Sequence, residues 1–587
     1  MKYKTEWDLS LLYKSEKDPQ IEKDIKKLES LSVAFEKKYR KRDVSISSKI
    51  LLNALKEYTE LSDSTLLKPW WYFALRNEKN NDDAIAGAKA TQIWTRITEA
   101  SNKTTFFPLA IGNIPLNKQK KFLNDPLLRE YKYLLEKVFD EAKFNLTEKE
   151  EQLASLLSTT SYSMWTEGQR RALSQKTVHF KGEDMPLSKA SALTPQLPKK
   201  ERRELYDKVT SIYEENSMFA ESELNAIINY KKVMDDLRGF KKPYSSVLLK
   251  NENDEKTIED LVAVVTKYFK LSHRFYSLHA KLLGEKEITR ADLMVPIGKI
   301  NINYSFDESV EVIRRIFAKV DKKYSDLLKD FAEGAQFDVY PKKGKSPGGF
   351  CWTMGNSPTF ILLNHIDDIR SLSTIAHEMG HAIHGTLTKG QPSYYQGNSS
   401  ATAEVASTFF EQLVLEEITN QLPEEDQIIL LHKRTQENIL AIFAQIAGFK
   451  YETELHGEIR KHGQIDRGQI AAILKKHYES YCGPSVKMPP NAGYNFVSWI
   501  HTRLFFYTYT YSYGQLVSRA MYEKWKADPK YAKKIEQFLS AGRSMSPKDI
   551  FKSIGINTNE AFFEAGLKGI EADINKLEKL AKKYKKI

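Results

Sequence analysis

The sequence predicts a mainly α-helical chain, and three observations carry that prediction. Apolar residues recur at helical spacing over long stretches, and prolines and glycines gather into a few short interruptions. The 587 residues, 41% hydrophobic and 28% charged, are those of a globular protein able to bury a large interior.

From Ile21 to about Thr104, Leu28, Leu31 and Phe35, then Leu51, Leu52, Leu55 and Tyr58, repeat with helical period and carry no chemistry. Phe107 to Pro115 holds two prolines and a glycine, so it should interrupt the helices and bound an N-terminal helical region, residues 1–106. Asp125-Pro126 opens a further helix, and Thr147-Glu148-Lys149-Glu150 starts another in capping-box style. Leu193 to Lys200, with Pro195 and Pro198, closes this segment, giving a subdomain over 107–195 and leaving the chemistry to 196–587. Helical periodicity returns over Lys200–Tyr230 and Lys256–Leu283; His273 and His279 on the second are six apart, a poor metal spacing, and read as structural.

Phe337 to Phe350 is loop-like, and Pro358 to Asn364 is a short apolar run with strand character. Read as an edge strand, that run could take an extended peptide as one more strand, through main-chain hydrogen bonds indifferent to side-chain identity. Gly348 and Gly349 would let backbone approach such a substrate closely; a mobile loop without a substrate role is the other reading.

The chain is organised around Ala376-His377-Glu378-Met379-Gly380-His381-Ala382-Ile383-His384. On a helix, His377 and His381 lie about 40° apart on one face, so both imidazoles can ligate one zinc ion, with Glu378 beside it to take a proton from water and pass it to a leaving amine. Asp367 and Asp368 supply N-terminal signals, Ile369, Leu372, Ile375, Ala376, Met379 and Ile383 form an apolar side, and Gly385 is a weak stop. Beyond a turn-rich connector, Ala403 to Glu411 can return as a second helix presenting Glu404 and Glu411 on one face. Glu404, among the small residues Ala403, Ala406 and Ser407, is the expected third ligand; Glu411 fits as the acceptor that fixes a histidine tautomer, or else as a solvated surface carboxylate.

A net charge of +12 raises nucleic acid, but the lysines are interspersed with acids along the chain, as on solvated helix faces. No apolar leader segment and no run of 18 apolar residues occurs, and only two cysteines, Cys351 and Cys482, are present. A cytoplasmic protein with no nucleic-acid or membrane partner is therefore expected. Cys351 is either a reactive thiol or a plain buried or semi-exposed cysteine. Lys576 to Lys586, with Leu577, Leu580, Ala581 and Tyr584, should be an amphipathic closing helix.

The run from His377 to His384, followed by Ala403-Glu404-Val405-Ala406-Ser407, resembles the thimet-oligopeptidase-like (M3) zinc metallopeptidases, specifically their oligoendopeptidase F branch. Trp7-Asp8-Leu9-Ser10-Leu11-Leu12-Tyr13, Leu146 to Glu151 and His501 to Gly514 resemble further landmarks of that branch, so the likeness covers most of the chain. It implies two helical lobes around a deep substrate channel, a small β-sheet near the zinc helix, an oligopeptidase F-type subdomain at 107–195 and a zinc metallopeptidase catalytic domain at 196–587. It also implies one Zn²⁺ per chain and hydrolysis of internal bonds in short unstructured oligopeptides. A peptidyl dipeptidase or carboxypeptidase of a related zinc family is the alternative within the class, and a helical peptide-binding scaffold with a vestigial site the alternative outside it.

Hydrolysis needs donors for a developing oxyanion, and tyrosine abounds in Tyr507-Thr508-Tyr509-Thr510-Tyr511-Ser512-Tyr513. Period two alone says strand there, whereas the resemblance implies helix. By the family's pattern of a histidine followed by spaced tyrosines and a glycine, a transition-state role falls on His501 and Tyr507, with Tyr511 and Tyr513 as further substrate contacts. Where relatives often have Pro-His-Phe-Tyr this chain has Ile500-His501-Thr502-Arg503, so contacts there should differ.

Overall fold

Helices begin where short polar side chains can accept from the exposed N–H groups of a first turn. Asp18, Ser47, Asp83, Asp254, Asp368 and Asn559 each do so, and Ser305 with Glu308 forms a reciprocal capping box. The computed structural model describes residues 2–61, 63–300 and 302–587. It is 71% helical with only small sheets, as the periodicity predicts.

The chain divides into two units, each assembled from three separated segments. The first comprises Met1–Glu148, Ile302–Glu417 and Ser518–Ile556. Its N-terminal helices Pro19–Tyr39, Lys68–Lys79 and Ala84–Asn102 pack around Tyr13, Ile25, Tyr72, Phe73 and Leu75, and Ser48–Glu60 packs through Leu51, Ala54 and Leu55 on a second cluster with Phe35, Phe106 and Phe107. Phe107 to Pro115 departs from expectation, because Phe106–Gly112 is itself a helix. Pro108 lies in its first turn, where a missing N–H removes no intrahelical bond.

A three-stranded sheet in this unit runs in the order Phe337–Asp338, Phe360–Leu362, Phe350–Trp352. The first pair is parallel and the second antiparallel, with Cys351 opposite Ile361. The expected strand in Pro358–Asn364 exists, but it is central and not at the edge. Its three residues are all buried, as an uninterrupted apolar run requires, and Phe360 is covered by Trp7 at 5.8 Å, edge to face. An edge belongs instead to Phe350–Trp352, which starts at the last residue of the predicted loop.

The second unit comprises Lys149–Asn301, Ile418–Val517 and Asn557–Ile587. Lys199–Glu215, Ser217–Arg238, Gln445–His462 and Arg467–Cys482 are among its longer helices, and the predicted Lys256–Leu283 helix is broken in two at Tyr268. Glu560–Lys583 closes the chain with Leu577, Leu580 and Ala581 buried, as its amphipathic pattern foretells. His279 is fully buried against His432, its Nε2 on the Asp292 carbonyl, and His273 bonds the Ser480 carbonyl, so both are structural. Cys351 and Cys482 are unpaired. Among the described residues no helix is long and apolar enough to cross a membrane.

Candidate metal centre and active site

Asp368 caps the motif helix Ile369–Leu387 by accepting from the Ser371 N–H at 2.7 Å. Ile369, Leu372, Ile375, Ala376, Met379 and Ile383 are buried on one side, which leaves His377 and His381 on the other with 26% and 21% of their side chains exposed. Gly385 does not stop the helix. A Cβ there would sit 2.4 Å from Thr353 Oγ1, so it is glycine because the strand side packs against it. Gly380 serves the same purpose toward helix Ser400–Gln421, where a Cβ would lie 2.5 Å from Ser407 Cα and 2.9 Å from the Ala406 carbonyl. The small residues flanking Glu404 thus bring its backbone against the motif helix.

This contact sets three ligand atoms together. His377, His381 and Glu404 each offer one atom, all within 4.8 Å of one another, with Glu404 Oε2 at 3.6 Å from His377 Nε2 and 3.8 Å from His381 Nε2. A tetrahedral zinc ion with ligands at ~2.0–2.1 Å needs separations of roughly 3.3 Å, so the two glutamate–histidine separations fit it after a contraction of a few tenths of an ångström. Glu411 accepts from His377 Nδ1 at 2.9 Å and from Ser373 Oγ at 2.7 Å, an arrangement that leaves His377 Nε2 as the free ligand atom. Burial works against a charge on His377, but the hydrogen bond and charge of Glu411 outweigh it and hold the imidazole up at about 9. Burial and the neighbouring His377 pull His381 down to about 4. His384 is buried against Phe538 and takes no part.

Glu378 is 6% exposed, and burial, helped by Glu404 and Glu411, lifts its carboxyl to about 7. It lines a cavity of about 520 Å³ with His377, His381, Glu404, Ala403 and the whole edge strand Phe350–Trp352. Gly349 enters this wall, where a Cβ would stand 3.2 Å from Glu378 Oε1; Gly348 has φ +82° and gives its carbonyl to Asn364. Cys351 also faces the cavity, but burial raises its thiol far above the ordinary range, which leaves it a weak nucleophile.

In the second unit, His501 lies in the 3₁₀ turn Ile500–Arg503 and Tyr507 just before helix Tyr509–Ala527. His501 Nε2 is 3.2 Å from the Tyr511 hydroxyl; the Tyr507 ring lies 6.3 Å from His501 at 22° and 5.5 Å from Tyr511 at 81°. Burial lowers the pKa of His501, which favours its neutral form. These three form one cluster. Tyr513 is not part of it: fully buried, it donates to Thr558 Oγ1, and the equally buried Tyr509 accepts from Asn253. The helix starts at Tyr509, so the implied helix holds for Tyr509 onward and Tyr507 precedes it.

A model of peptidase family M3 matches residues 196–568, and one described as oligopeptidase F matches residues 111–171. The chain belongs to peptidase family M3. It is a metallo-endopeptidase of the oligopeptide-cleaving kind. An oligoendopeptidase F homolog of Borreliella burgdorferi is 26% identical over 98% of both chains, and oligopeptidase PepF of Bacillus subtilis is 23% identical over 88% of this chain and 78% of that one. Among solved structures, oligoendopeptidase-F from Enterococcus faecium superposes with a TM-score of 0.73 at 19% identity, covering 96% of this chain and 99% of that one. A Chlamydophila abortus protein described as a peptidase reaches 0.84 at 20% identity over 98% of each. At these identities the structures speak for the M3 fold alone.

Two buried carboxylates of this M3 chain escape the sequence reading. Arg503, at the position where the chain departs from the family pattern, makes a two-point ion pair with Glu223, at 3.0 and 2.6 Å, and donates to the Phe496 and Trp499 carbonyls. Past it, Phe505 and Phe506 both adopt positive φ, 46° and 52°, a conformation costly for side chains with a Cβ. The Phe506 N–H donates to Glu452 Oε2 at 2.5 Å, from inside helix Gln445–His462. One signal for Glu452 was present in the sequence. It sits three residues from Phe449 and Leu455 and seven from Ile459, on an apolar face, where a carboxylate has no reason to be unless something meets it.

Proposed function

We propose that this M3 peptidase is a zinc-dependent oligoendopeptidase in which His377, His381 and Glu404 hold one zinc ion per chain and Glu378 is the general base and then the general acid. One observation carries the reading: three ligand atoms within 4.8 Å of one another open, with Glu378 alongside, into a cavity bordered by an unpaired strand edge. Bound there, zinc would supply Lewis-acid polarisation of a scissile carbonyl and of the attacking water. Glu378, desolvated and held near neutrality, is suited to take the water's proton and return it to the leaving nitrogen. Glu411 orients His377. The free edge at Phe350–Trp352 would bind an extended peptide through main-chain hydrogen bonds, with Gly348 and Gly349 keeping its approach clear. His501, whose neutral form burial favours, and Tyr507 are suited to donate to the oxyanion, and Tyr511 to orient His501. The unpaired cysteines and the lack of a membrane-spanning helix among the described residues accord with a cytoplasmic place for this enzyme.

Mass spectrometry of products from a mixed library of peptides with both ends blocked tests the proposal. Cleavage at internal bonds, abolished by a chelator and restored by zinc, is expected. Release of C-terminal residues or dipeptides alone, from unblocked peptides only, would overturn it in favour of a carboxypeptidase or peptidyl dipeptidase.

A further inference from the structure

Arg290, in the 3₁₀ turn Arg290–Asp292 of the second unit, has no carboxylate partner among the described residues. Its guanidinium lies 3.5 Å from the centre of the Tyr478 ring, and the Asn495 amide, turned with its carbonyl inward, accepts from Nε and Nη2 at 3.3 Å each. Nη1 is buried and bonds nothing. The adjacent acid cannot serve it: Asp292 is taken by Arg202 Nε at 2.8 Å, by Arg203 Nε and Nη2 at 3.1 and 2.7 Å, and by the Thr289 N–H and hydroxyl. Two arginines thus already share that one buried carboxylate, and Arg290 is left without one. A cation taken out of water without a counter-ion is costly, and one aromatic face offsets only part of the loss.

Arg290 borders a cavity of about 310 Å³, also lined by Tyr206, Thr210, Tyr481, Asn495 and Ser498. The Tyr206 hydroxyl is buried there without a partner as well. The Thr210 hydroxyl is committed to the Tyr206 carbonyl and the Ser498 hydroxyl to the Asn495 carbonyl. The buried polar atoms of these lining residues that bond nothing, Arg290 Nη1 and the Tyr206 hydroxyl, are therefore both able to donate, and the first belongs to a cationic guanidinium. The space is about ten times a water's share of liquid volume. We infer that this cavity is a binding site for a small monovalent anion, halide or carboxylate, held by the Arg290 guanidinium and the Tyr206 hydroxyl.

Thermal unfolding of the full chain in low-salt buffer, titrated with sodium chloride or with sodium acetate, tests this in the wild type, Arg290→Met and Tyr206→Phe. A purely structural arginine would be missed equally in every buffer. A site lacking its anion predicts a crossing instead. Arg290→Met should be at least as stable as the wild type without added anion, because it removes a half-buried charge that has no counter-ion. The wild type should then gain a saturable rise in Tm and overtake it, while Arg290→Met shows none. Tyr206→Phe should keep the rise but need more anion to reach it. The salt that saturates at lower concentration distinguishes an inorganic from a carboxylate ligand. Parallel salt responses in the wild type and Arg290→Met would overturn the inference. Should Arg290→Met not fold, wild-type crystals soaked in bromide decide: an anomalous peak within hydrogen-bond reach of Arg290 supports the site, and ordered water alone removes it.

Discussion

Glu378 and Glu411 both act on His377, and their surroundings assign them different work. Glu378 is desolvated and faces the cavity, while Glu411 is tied to His377 Nδ1 and Ser373. Glu378→Gln should keep its metal and its peptide affinity but lose roughly 10²–10⁴ in kcat, since the amide has nearly the same volume and cannot accept the proton. Steady-state kinetics on a quenched fluorescent peptide, with metal content measured in parallel, check this. Glu404→Ala should empty the site, whereas Glu411→Ala should retain metal with affinity weakened by about 10–100-fold. Competition with a fluorescent zinc chelator reads both, and the reverse ranking would mean that the two glutamates have exchanged roles.

At the scale of elements, the motif helix and the common face of His377 and His381 are legible in the sequence because a spacing of four fixes a face and Asp368 announces the start. The neighbour of Glu404 was legible too, through the small residues that let Gly380 approach Ser407. What was not legible depended on pairing between distant segments. Phe360–Leu362 and Phe350–Trp352 are both short apolar runs, and only their order in the sheet decides which has a free edge. Likewise nothing local marks Glu223 as the partner of Arg503, 280 residues away. Tyr513 is a site candidate only through the family resemblance, and the helix that starts at Tyr509 turns it into the core.

Helix Gln445–His462 carries a pH dependence of its own. Burial raises the Glu452 carboxyl to about 8, although the Phe506 N–H favours the ionised form. Unfolded, the group should titrate near ~4.3. Between those values the folded chain keeps a proton that the unfolded chain has released. Its contribution is therefore fully present below the unfolded pKa and is lost as pH rises through about 8, with a slope of up to ~1.4 kcal/mol per pH unit. Urea unfolding from pH 5 to pH 9 should show Glu452→Gln losing less stability than the wild type over that range. Equal slopes would place the proton elsewhere.

For the whole molecule, all three candidate ligands belong to one unit, so zinc should act as a stabiliser of that unit before it acts in chemistry. Zinc at 1,000 times its dissociation constant is worth about 4 kcal/mol to a state that alone binds it. Calorimetry with a chelator should therefore move the transition containing the first unit downward, and Glu404→Ala should reproduce that lower transition with no chelator present.

The interleaving of the two units bears on how the chain is made. Its path passes from one unit to the other at residues 148, 301, 417, 517 and 556, so neither unit is contiguous. A ribosome adding about 5–20 residues per second releases the His377–Glu411 region well before Ser518–Ile556, the segment whose Phe538 covers His384. During that interval of several seconds the metal helices exist without their lid of apolar side chains, and the first unit cannot complete its interior. Both units are thus obliged to close late, after nearly the whole polypeptide has emerged, which makes the nascent chain a client for whatever shields apolar surface in the cell.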